Sequence, residues 1–207
     1  MNKVLLIGDS IRIGYGQRVR ELLSDTAEVI MPDMNCKWTK FIYWHISLWA
    51  GDTKFDAIHW NSGIWDTHRI DGNECFCSLD EYIRDNERLL KMMKRYSDKL
   101  IWATSTPGGK VLDEKNAINA LENTDRDFPK RFLTTDQYNW NKTINEYNTA
   151  AVKLYESQGV YIDDLNQLML QNLEDYLSPD GVHPNEKGYE ALAQQVAKSI
   201  RDVLRKD

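Results

Sequence analysis

The chain has 207 residues, of which 42% are hydrophobic and 28% are charged, and its formal net charge at pH 7 is -6. This length and composition predict a single domain, residues 1–207, with a sizeable core. The chain has no long block of like charge to attract nucleic acid or an anionic membrane, and its apolar runs are too short to cross a bilayer. Neither nucleic acid nor membrane is an expected partner.

The cysteines favour a cytoplasmic location. Three are present, Cys36, Cys75 and Cys77, so they cannot all pair, and the Cys-x-Cys spacing is too tight for an unstrained disulfide. The sequence shows neither a two-pair zinc-ligand spacing nor a secretory signal with a basic start and a small-residue cleavage site. We therefore expect reduced thiols, no metal and no cofactor.

The first predicted element is a buried strand, "KVLLI" at residues 3–7, which ends in Gly8-Asp9-Ser10. Helical residues follow, so Ser10 is predicted to lie on the turn before a helix, where free amides and the helix dipole favour an anion. The phosphate-binding patterns G-x-x-x-x-G-K-[ST] and G-x-G-x-x-G are absent here, which disfavours a nucleotide site. A serine nucleophile with an amide-lined oxyanion hole fits this position better.

Four further apolar runs alternate with amphipathic helices. The runs lack apolar–polar alternation, as is typical of strands covered on both faces, and comprise residues 27–31, 55–60, 99–104 and 159–163. The clearest helix covers residues 78–97, with a capping box of Ser78 and Glu81, and others are predicted over 140–155 and at the C-terminal end. This alternation predicts a three-layer α/β/α sandwich around a five-stranded parallel sheet of flavodoxin-like order.

One long segment interrupts this pattern. Residues 108–137 have weak periodicity and many polar side chains. Loops of this length are either functional, for example as lids, or are surface positions where insertions are tolerated. Both interpretations are open from the sequence.

A second group of chemically active residues precedes the last helix. Asp180 and His183 are separated by two residues, a spacing at which one tight loop brings the carboxylate to the imidazole, and Pro184 is predicted to be the first helical residue. Ligands of open parallel sheets bind at the carboxyl ends of the strands, where Ser10 also lies. The sequence therefore predicts a triad in which Asp180 orients His183 and His183 takes the proton of Ser10.

Gly8-Asp9-Ser10 and Asp180-Gly181-Val182-His183 together resemble the first and last motif blocks of the SGNH, or GDSL, hydrolases. The order and separation of the blocks carry the resemblance, which extends over the whole chain in the order of strands and helices. It implies an α/β/α sandwich that hydrolyses esters without a metal, with substrates that include acetylated sugars, short-chain esters, lysophospholipids and thioesters. Asp9 is expected to fix its loop by hydrogen bonds.

The second motif block departs from the family pattern. The family has a glycine after the second strand, and the amide of this glycine points into the oxyanion hole. Here residues 33–39 contain no glycine. We expect the amide of Asn35 or Cys36 to replace it.

The third motif block also departs from the pattern. The family sequence Gly-x-Asn-Asp reads Gly63-Ile64-Trp65-Asp66 here, so tryptophan occupies the position of the asparagine that donates to the oxyanion. Asn61 is the nearest side-chain amide and is assigned that role. Trp65 is expected to line the substrate pocket.

Other polar residues near the predicted site have alternative roles. Arg12 is expected either to bind an acidic substrate group or to form a surface salt bridge. Asp66 either hydrogen-bonds the loop after the first strand or caps its own turn, and His68 is a rival base that lacks a carboxylate at a fixed spacing. Residues 104–107 end the fourth strand and are expected to line the pocket.

The tryptophans bear on the substrate. The chain has seven, and five lie within one third of it: Trp38, Trp44, Trp49, Trp60 and Trp65. Aromatic rings stack on sugars but also fill cores and acyl pockets. We expect a serine esterase that removes a small acyl group, such as acetyl, from a carbohydrate or another small metabolite. The alternatives are a thioesterase, lysophospholipase or acyltransferase of the same fold, and a non-catalytic carbohydrate- or metabolite-binding relative.

Overall fold

The computed structural model describes residues 1–69, 74–109 and 137–206. Nearly all of the segment 108–137, for which the sequence leaves a lid or an insertion open, lies outside these ranges. Within them, no helix is both long enough and apolar enough to span a membrane.

The described strands form one parallel sheet in the order β2-β1-β3-β4-β5. Their bounds are β1 (Asn2–Ile7), β2 (Ala27–Ile30), β3 (Ala57–Asn61), β4 (Leu100–Ala103) and β5 (Tyr161–Asp163). The flavodoxin-like order is confirmed, and each predicted strand is present with its ends shifted by at most about two residues, as is usual for boundaries taken from sequence.

Helices cover both faces of this sheet. Those in the described ranges are α1 (Ser10–Leu22), α2 (Thr39–Ala50), α3 (Leu79–Met93), α4 (Gln137–Ser157), α5 (Leu165–Leu170), α6 (Leu173–Tyr176) and α7 (Glu186–Leu204). Helix α1 packs against α7 on one face, whereas α2 packs against α3, and α3 against α4, on the other. The predicted α/β/α sandwich is therefore confirmed.

Strand β1 shows why the strands have no apolar–polar alternation. Val4 and Leu6 point into the core beneath α1 and α7, whereas Leu5 and Ile7 point into the core beneath α2 and α3. All four side chains are fully buried. Because both faces of the strand are covered, both sets of alternating positions must be apolar.

The pairing register brings the functional strand ends together. Ile7 of β1 pairs with Trp60 of β3, so the turn that follows β1 lies beside Asn61. Asn61 in turn pairs with Ala103 of β4, which places the residues after β4 on its other side. The carboxyl edge at the centre of the sheet therefore carries the segments that the sequence marks as functional.

The start of α7 differs from the sequence prediction. The helix begins at Glu186, not at Pro184, because Asn185 is its N-cap and accepts a hydrogen bond from the Gly188 amide at 3.1 Å. Pro184 instead forms an isolated bridge with Leu177. This bridge closes the loop that carries His183.

The capping box of α3 is confirmed, and its contribution to stability is testable. Ser78 Oγ accepts a hydrogen bond from the Glu81 amide, and the Glu81 carboxylate accepts one from the Ser78 amide. We expect Ser78→Ala to lower the free energy of unfolding by about 1 kcal/mol in urea denaturation. Ser47→Ala, at an exposed position within α2, is the control and should cause no loss. Equal effects of the two substitutions would contradict this prediction.

Candidate active site

Ser10 is the first residue of α1 and is half-buried at the carboxyl edge of the sheet. Asp9 is the N-cap of this helix, and its Oδ1 accepts a hydrogen bond from the Ile11 amide at 2.9 Å. The amides of a first helical turn have no partner within the helix, so the Ser10 hydroxyl lies beside free donors at the positive end of the helix dipole.

A tight loop presents His183. Gly181 has a φ of 78°, a left-handed conformation that glycine adopts without steric cost. The loop is closed by a hydrogen bond from the Ser178 amide to the His183 carbonyl at 2.8 Å. Within it, Asp180 Oδ1 accepts hydrogen bonds from the amides of Val182 and His183, both at 2.8 Å. The Asp180 carboxylate is therefore fixed by the backbone of its own loop.

The structure brings Ser10, His183 and Asp180 into one hydrogen-bonded chain. His183 Nδ1 lies 2.8 Å from Asp180 Oδ2, and His183 Nε2 lies 2.9 Å from Ser10 Oγ. A carboxylate only accepts hydrogen bonds, so Nδ1 carries the proton and the lone pair of neutral Nε2 faces the serine hydroxyl. In this arrangement the imidazole can take the serine proton while the carboxylate stabilises the resulting positive charge.

The electrostatics keep Asp180 ionised. Burial raises the pKa of its carboxyl, but the hydrogen bonds from His183 and from the Val182 amide outweigh burial and lower the pKa to about 2. Asp180 therefore stays negative over the whole pH range in which a histidine base is neutral.

Asp9 also holds Asn61. Asn61 Nδ2 donates a hydrogen bond to Asp9 Oδ2 at 3.2 Å, in a region where Asp9 is fully buried. Burial raises the pKa of Asp9, while the hydrogen bonds from the Ile11 amide and from Asn61 lower it in part. A Cβ on Gly8 would lie 2.0 Å from Asn61 Oδ1, so only glycine leaves room for this amide.

The loop after β2 carries the two amides, of Asn35 and Cys36, that the sequence offers as oxyanion donors. The Cys36 amide donates to the Gly8 carbonyl at 3.1 Å, so it is not available to an oxyanion. The Asn35 amide has no partner in the described part of the chain, and the Asn35 side chain accepts a hydrogen bond from the Lys37 amide at 2.9 Å. Of the two candidates, Asn35 is the one with a free N–H.

Arg12 is 4% exposed and has no salt-bridge partner among the described residues, so the surface salt bridge is not observed. Binding of an acidic substrate group by Arg12 stays a prediction. The guanidinium donates to the Met34 carbonyl and, at 3.4 Å, to the Gly8 carbonyl. These contacts tie the loop after β2 to the turn after β1, while Arg12 Nε is buried without a hydrogen-bond partner among the described residues.

Asp66 binds the start of α2. Its carboxylate accepts from the Thr39 amide and hydroxyl, both at 3.1 Å, and is 1% exposed. Neither of the two roles expected from the sequence is the observed one, since Thr39 belongs to the element after β2. Burial raises the pKa of Asp66 to about 7.

Trp65 and His68 lie in an aromatic cluster. The ring of half-buried Trp65 is 6.3 Å from that of Trp38 and 5.2 Å from that of His68. Burial lowers the pKa of His68 to about 3, so this imidazole stays neutral at physiological pH. The imidazole beside Ser10 is that of His183.

Sequence reasoning missed one polar residue of this region. Tyr15 of α1 lines a small cavity with Asp9, Asn61 and Thr106, and Thr106 is one of the residues after β4 that the sequence expects at a pocket. Tyr15 carries no signal of its own, because its position matches an ordinary core-facing residue of an amphipathic helix. In the described ranges, no group of three or more His, Cys, Asp or Glu residues is placed to hold a metal ion.

The pKa of Asp180 predicts a pH-dependent contribution to stability. Its pKa is lower in the folded chain than the ordinary value of 3.8, so the stabilisation is present above about pH 4 and is lost as the pH falls towards 2. We expect the wild type to lose about 2 kcal/mol more unfolding free energy than Asp180→Asn between pH 5 and pH 2. Urea denaturation at several pH values measures this difference, and parallel pH profiles would contradict it.

No protein-family model matches the sequence, and no curated protein matches it significantly. Solved structures do match. The acetylxylan esterase Axe2 from Geobacillus stearothermophilus is 20% identical, with 96% of this chain and 94% of that chain covered and a TM-score of 0.71. A GDSL-like lipase from Bacteroides thetaiotaomicron is 14% identical, with 97% and 88% covered and a TM-score of 0.69. LAE5, an α/β hydrolase from the metagenome of Lake Arreo, Spain, is 15% identical, with 99% and 97% covered and a TM-score of 0.71. The chain therefore has the fold of these esterases and lipases, the SGNH/GDSL hydrolase fold that its first and last motif blocks imply.

Proposed function

We propose that this protein is a serine esterase in which Ser10 is the nucleophile, His183 the general base and Asp180 the residue that orients the base. The main observation in support is the hydrogen-bonded chain from Asp180 Oδ2 through His183 to Ser10 Oγ, with distances of 2.8 and 2.9 Å. Its serine stands at a helix N-terminus on the edge of the sheet where ligands of this architecture bind. These are the geometry and the surroundings that an activated serine requires.

The reaction follows from this geometry. His183 Nε2 takes the hydroxyl proton as Ser10 Oγ attacks the ester carbonyl carbon, and the carbonyl oxygen becomes an oxyanion. When the tetrahedral intermediate collapses, the alcohol leaves with the proton from His183, and an acyl-serine remains. Water then loses a proton to His183, attacks the acyl carbon and releases the acid, while the proton returns to Ser10.

Three donors are proposed for the oxyanion hole: the backbone amides of Ser10 and Asn35 and the side-chain amide of Asn61. The hydrogen bond from the Cys36 amide to the Gly8 carbonyl fastens the loop after β2 against the turn after β1, which supports a place for Asn35 beside Ser10. Asn61 gives one Nδ2 hydrogen to Asp9 and has a second one available. Pre-positioned donors of this kind stabilise the transition state without reorganisation.

The proposed substrate carries a small acyl group, such as acetyl, on a carbohydrate. Trp38 lies next to Trp65 and to Phe76, with ring centroids 6.3 and 5.1 Å apart, and Phe76 is 43% exposed. Partly exposed rings near the ends of β2 and β3 suit the apolar faces of a sugar. The description of Axe2 and of a second solved neighbour as acetylxylan esterases supports the same class.

A cytoplasmic location is part of the proposal. The three cysteines are free thiols in the structure, and Cys36 and Cys77 are buried. Unpaired cysteines are typical of proteins from reducing compartments. The expected partner is a small acylated molecule.

The central test is labelling of Ser10. A fluorophosphonate probe should form a single adduct, located at Ser10 by mass spectrometry, and p-nitrophenyl acetate should be hydrolysed. Ser10→Ala should abolish labelling and lower kcat at least about 1,000-fold, because the nucleophile is lost. Ser47→Ala, an exposed serine in α2, should change neither.

The same preparations separate the alternatives. Release of free acetate from acetylated xylose oligosaccharides supports the carbohydrate esterase, and transfer of acetyl to an added sugar identifies an acyltransferase. Faster turnover of acyl-thioesters or of lysophospholipids would replace the proposed substrate class. No adduct at Ser10, together with retained sugar binding, would overturn the esterase in favour of a binding protein.

The side-chain donor has its own test. Asn61→Ala should lower kcat by about 100- to 1,000-fold on p-nitrophenyl acetate, because the oxyanion loses a donor that acts in the transition state. KM should change little, since the ground-state carbonyl makes a weaker contact. Asn145→Ala, at an exposed position of α4, is the control. An unchanged kcat in Asn61→Ala would exclude Asn61 from the oxyanion hole.

A further inference from the structure

Three buried polar atoms that no mechanism step uses belong to residues that line one cavity. Tyr15 Oη, Asn61 Oδ1 and Thr106 Oγ1 are shielded from solvent, and none has a hydrogen-bond partner among the described residues. The side chains are 0%, 7% and 4% exposed, respectively, and all three residues line the same cavity. Asp9 and Ile11, the neighbours of Ser10, line it as well. The cavity therefore lies directly behind the turn that carries the nucleophile.

The chemistry of these atoms defines what the cavity can bind. A buried polar atom without a partner is unfavourable, and three that share one space are satisfied together by a single small polar molecule. Asn61 Oδ1 only accepts hydrogen bonds, whereas the two hydroxyls both donate and accept. Burial raises the pKa of Tyr15, so its hydroxyl keeps its proton. The occupant must therefore donate at least one hydrogen bond and accept at least one.

The size of the cavity selects water. The centre of a water-sized sphere can move through about 10 Å³ of it, close to the roughly 10–15 Å³ that one buried water needs. Buried waters make about three hydrogen bonds, the number of unpartnered atoms here. The methyl group of an acetyl ester would leave all three atoms unsatisfied, so it is a poorer occupant than water.

We propose that this cavity binds one ordered water, which donates to Asn61 Oδ1 and is held by the hydroxyls of Tyr15 and Thr106, and that this water positions the Asn61 amide for the oxyanion. The water site is inferred from the cavity and its three unpartnered atoms alone. The positioning role rests on the proposed esterase function.

Positioning follows from the two ends of the amide. Asp9 Oδ2 accepts from Asn61 Nδ2 at 3.2 Å, and the water donates to Oδ1 at the other end. This orientation satisfies both ends of the amide, since Nδ2 donates to Asp9 and Oδ1 accepts from the water. Gly8 provides the space, since a Cβ there would meet Asn61 Oδ1 at 2.0 Å. The remaining Nδ2 hydrogen is then held in a fixed direction before substrate arrives.

Kinetics of the positioning residues test this role. Tyr15→Phe and Thr106→Val each remove one hydroxyl that holds the water while largely keeping the shape of the side chain. Each should lower kcat on the order of tenfold with KM within about twofold, because the donor is misplaced and not removed. Thr106→Ser, which keeps the hydroxyl, should retain kcat. In an Asn61→Ala background, Tyr15→Phe should have no further effect on kcat.

A matched control excludes a general loss of stability. Tyr155 is also fully buried, and its hydroxyl donates to Asn86 Oδ1 outside the cavity. Tyr155→Phe should lower the unfolding temperature as Tyr15→Phe does, but it should leave kcat unchanged. A drop in kcat of equal size in both variants would overturn the positioning role, as would an unchanged kcat in both Tyr15→Phe and Thr106→Val.

Crystallography tests the water site independently of activity. A high-resolution structure of the Ser10→Ala variant should show one water within hydrogen-bond distance of Tyr15 Oη, Asn61 Oδ1 and Thr106 Oγ1, and Tyr15→Phe should weaken or remove it. A dry cavity, or one closed by the three side chains, would overturn the proposal. A bound water in a protein with no reactive Ser10 would leave the water site standing and would end both the positioning role and the proposed esterase.

Discussion

The buried carboxylate of Asp9 is the interaction on which the candidate site depends. One oxygen accepts a hydrogen bond from the Ile11 amide and so caps helix α1, which begins at Ser10. The other accepts a hydrogen bond from the side-chain amide of Asn61 at the end of β3. A single fully buried group thus contacts both the turn that carries Ser10 and the side chain of the proposed oxyanion donor. The raised pKa of Asp9 reflects the cost of burying its carboxylate, and the two hydrogen bonds offset part of this cost.

The parts of the fold that depend on local pattern were predictable from the sequence. Strand β1 is apolar on both faces, and the capping box of Ser78 and Glu81 marks the start of α3. Each of these elements can be recognised from a few consecutive residues. The start of α7 was not predictable in the same way, because Pro184 and Asn185 are both favourable starting residues. The choice depends on the bridge between Pro184 and Leu177, a contact with an earlier segment.

The residues of the candidate site likewise differ in whether their contacts are local in the sequence. Asp180 and His183 share one short loop, so their contact follows from spacing, and Ser10 follows from its place after a strand. The roles of Cys36 and Arg12 depend on how the loop after β2 folds back onto Gly8, which no local pattern reports. In the absence of a glycine, that loop is held by a buried guanidinium and a backbone hydrogen bond, and the Asn35 amide is left without a partner among the residues that the structure describes.

At the third motif block, the proposed amide donor is Asn61, and Trp65 occupies the position at which the family has its asparagine. Asn61 is the last residue of β3, paired on one side with β4, whereas Trp65 lies in the loop that follows. A side chain on a strand in the middle of a sheet is held more rigidly than one on a loop, which suits a donor that must be in place before reaction. Moving the amide to the strand frees position 65 for an aromatic ring beside Trp38. The two departures from the family pattern are an amide two residues before Gly63 and a tryptophan two residues after it. They are thus one rearrangement, in which the strand supplies the proposed oxyanion donor and the loop supplies the proposed wall of the substrate pocket.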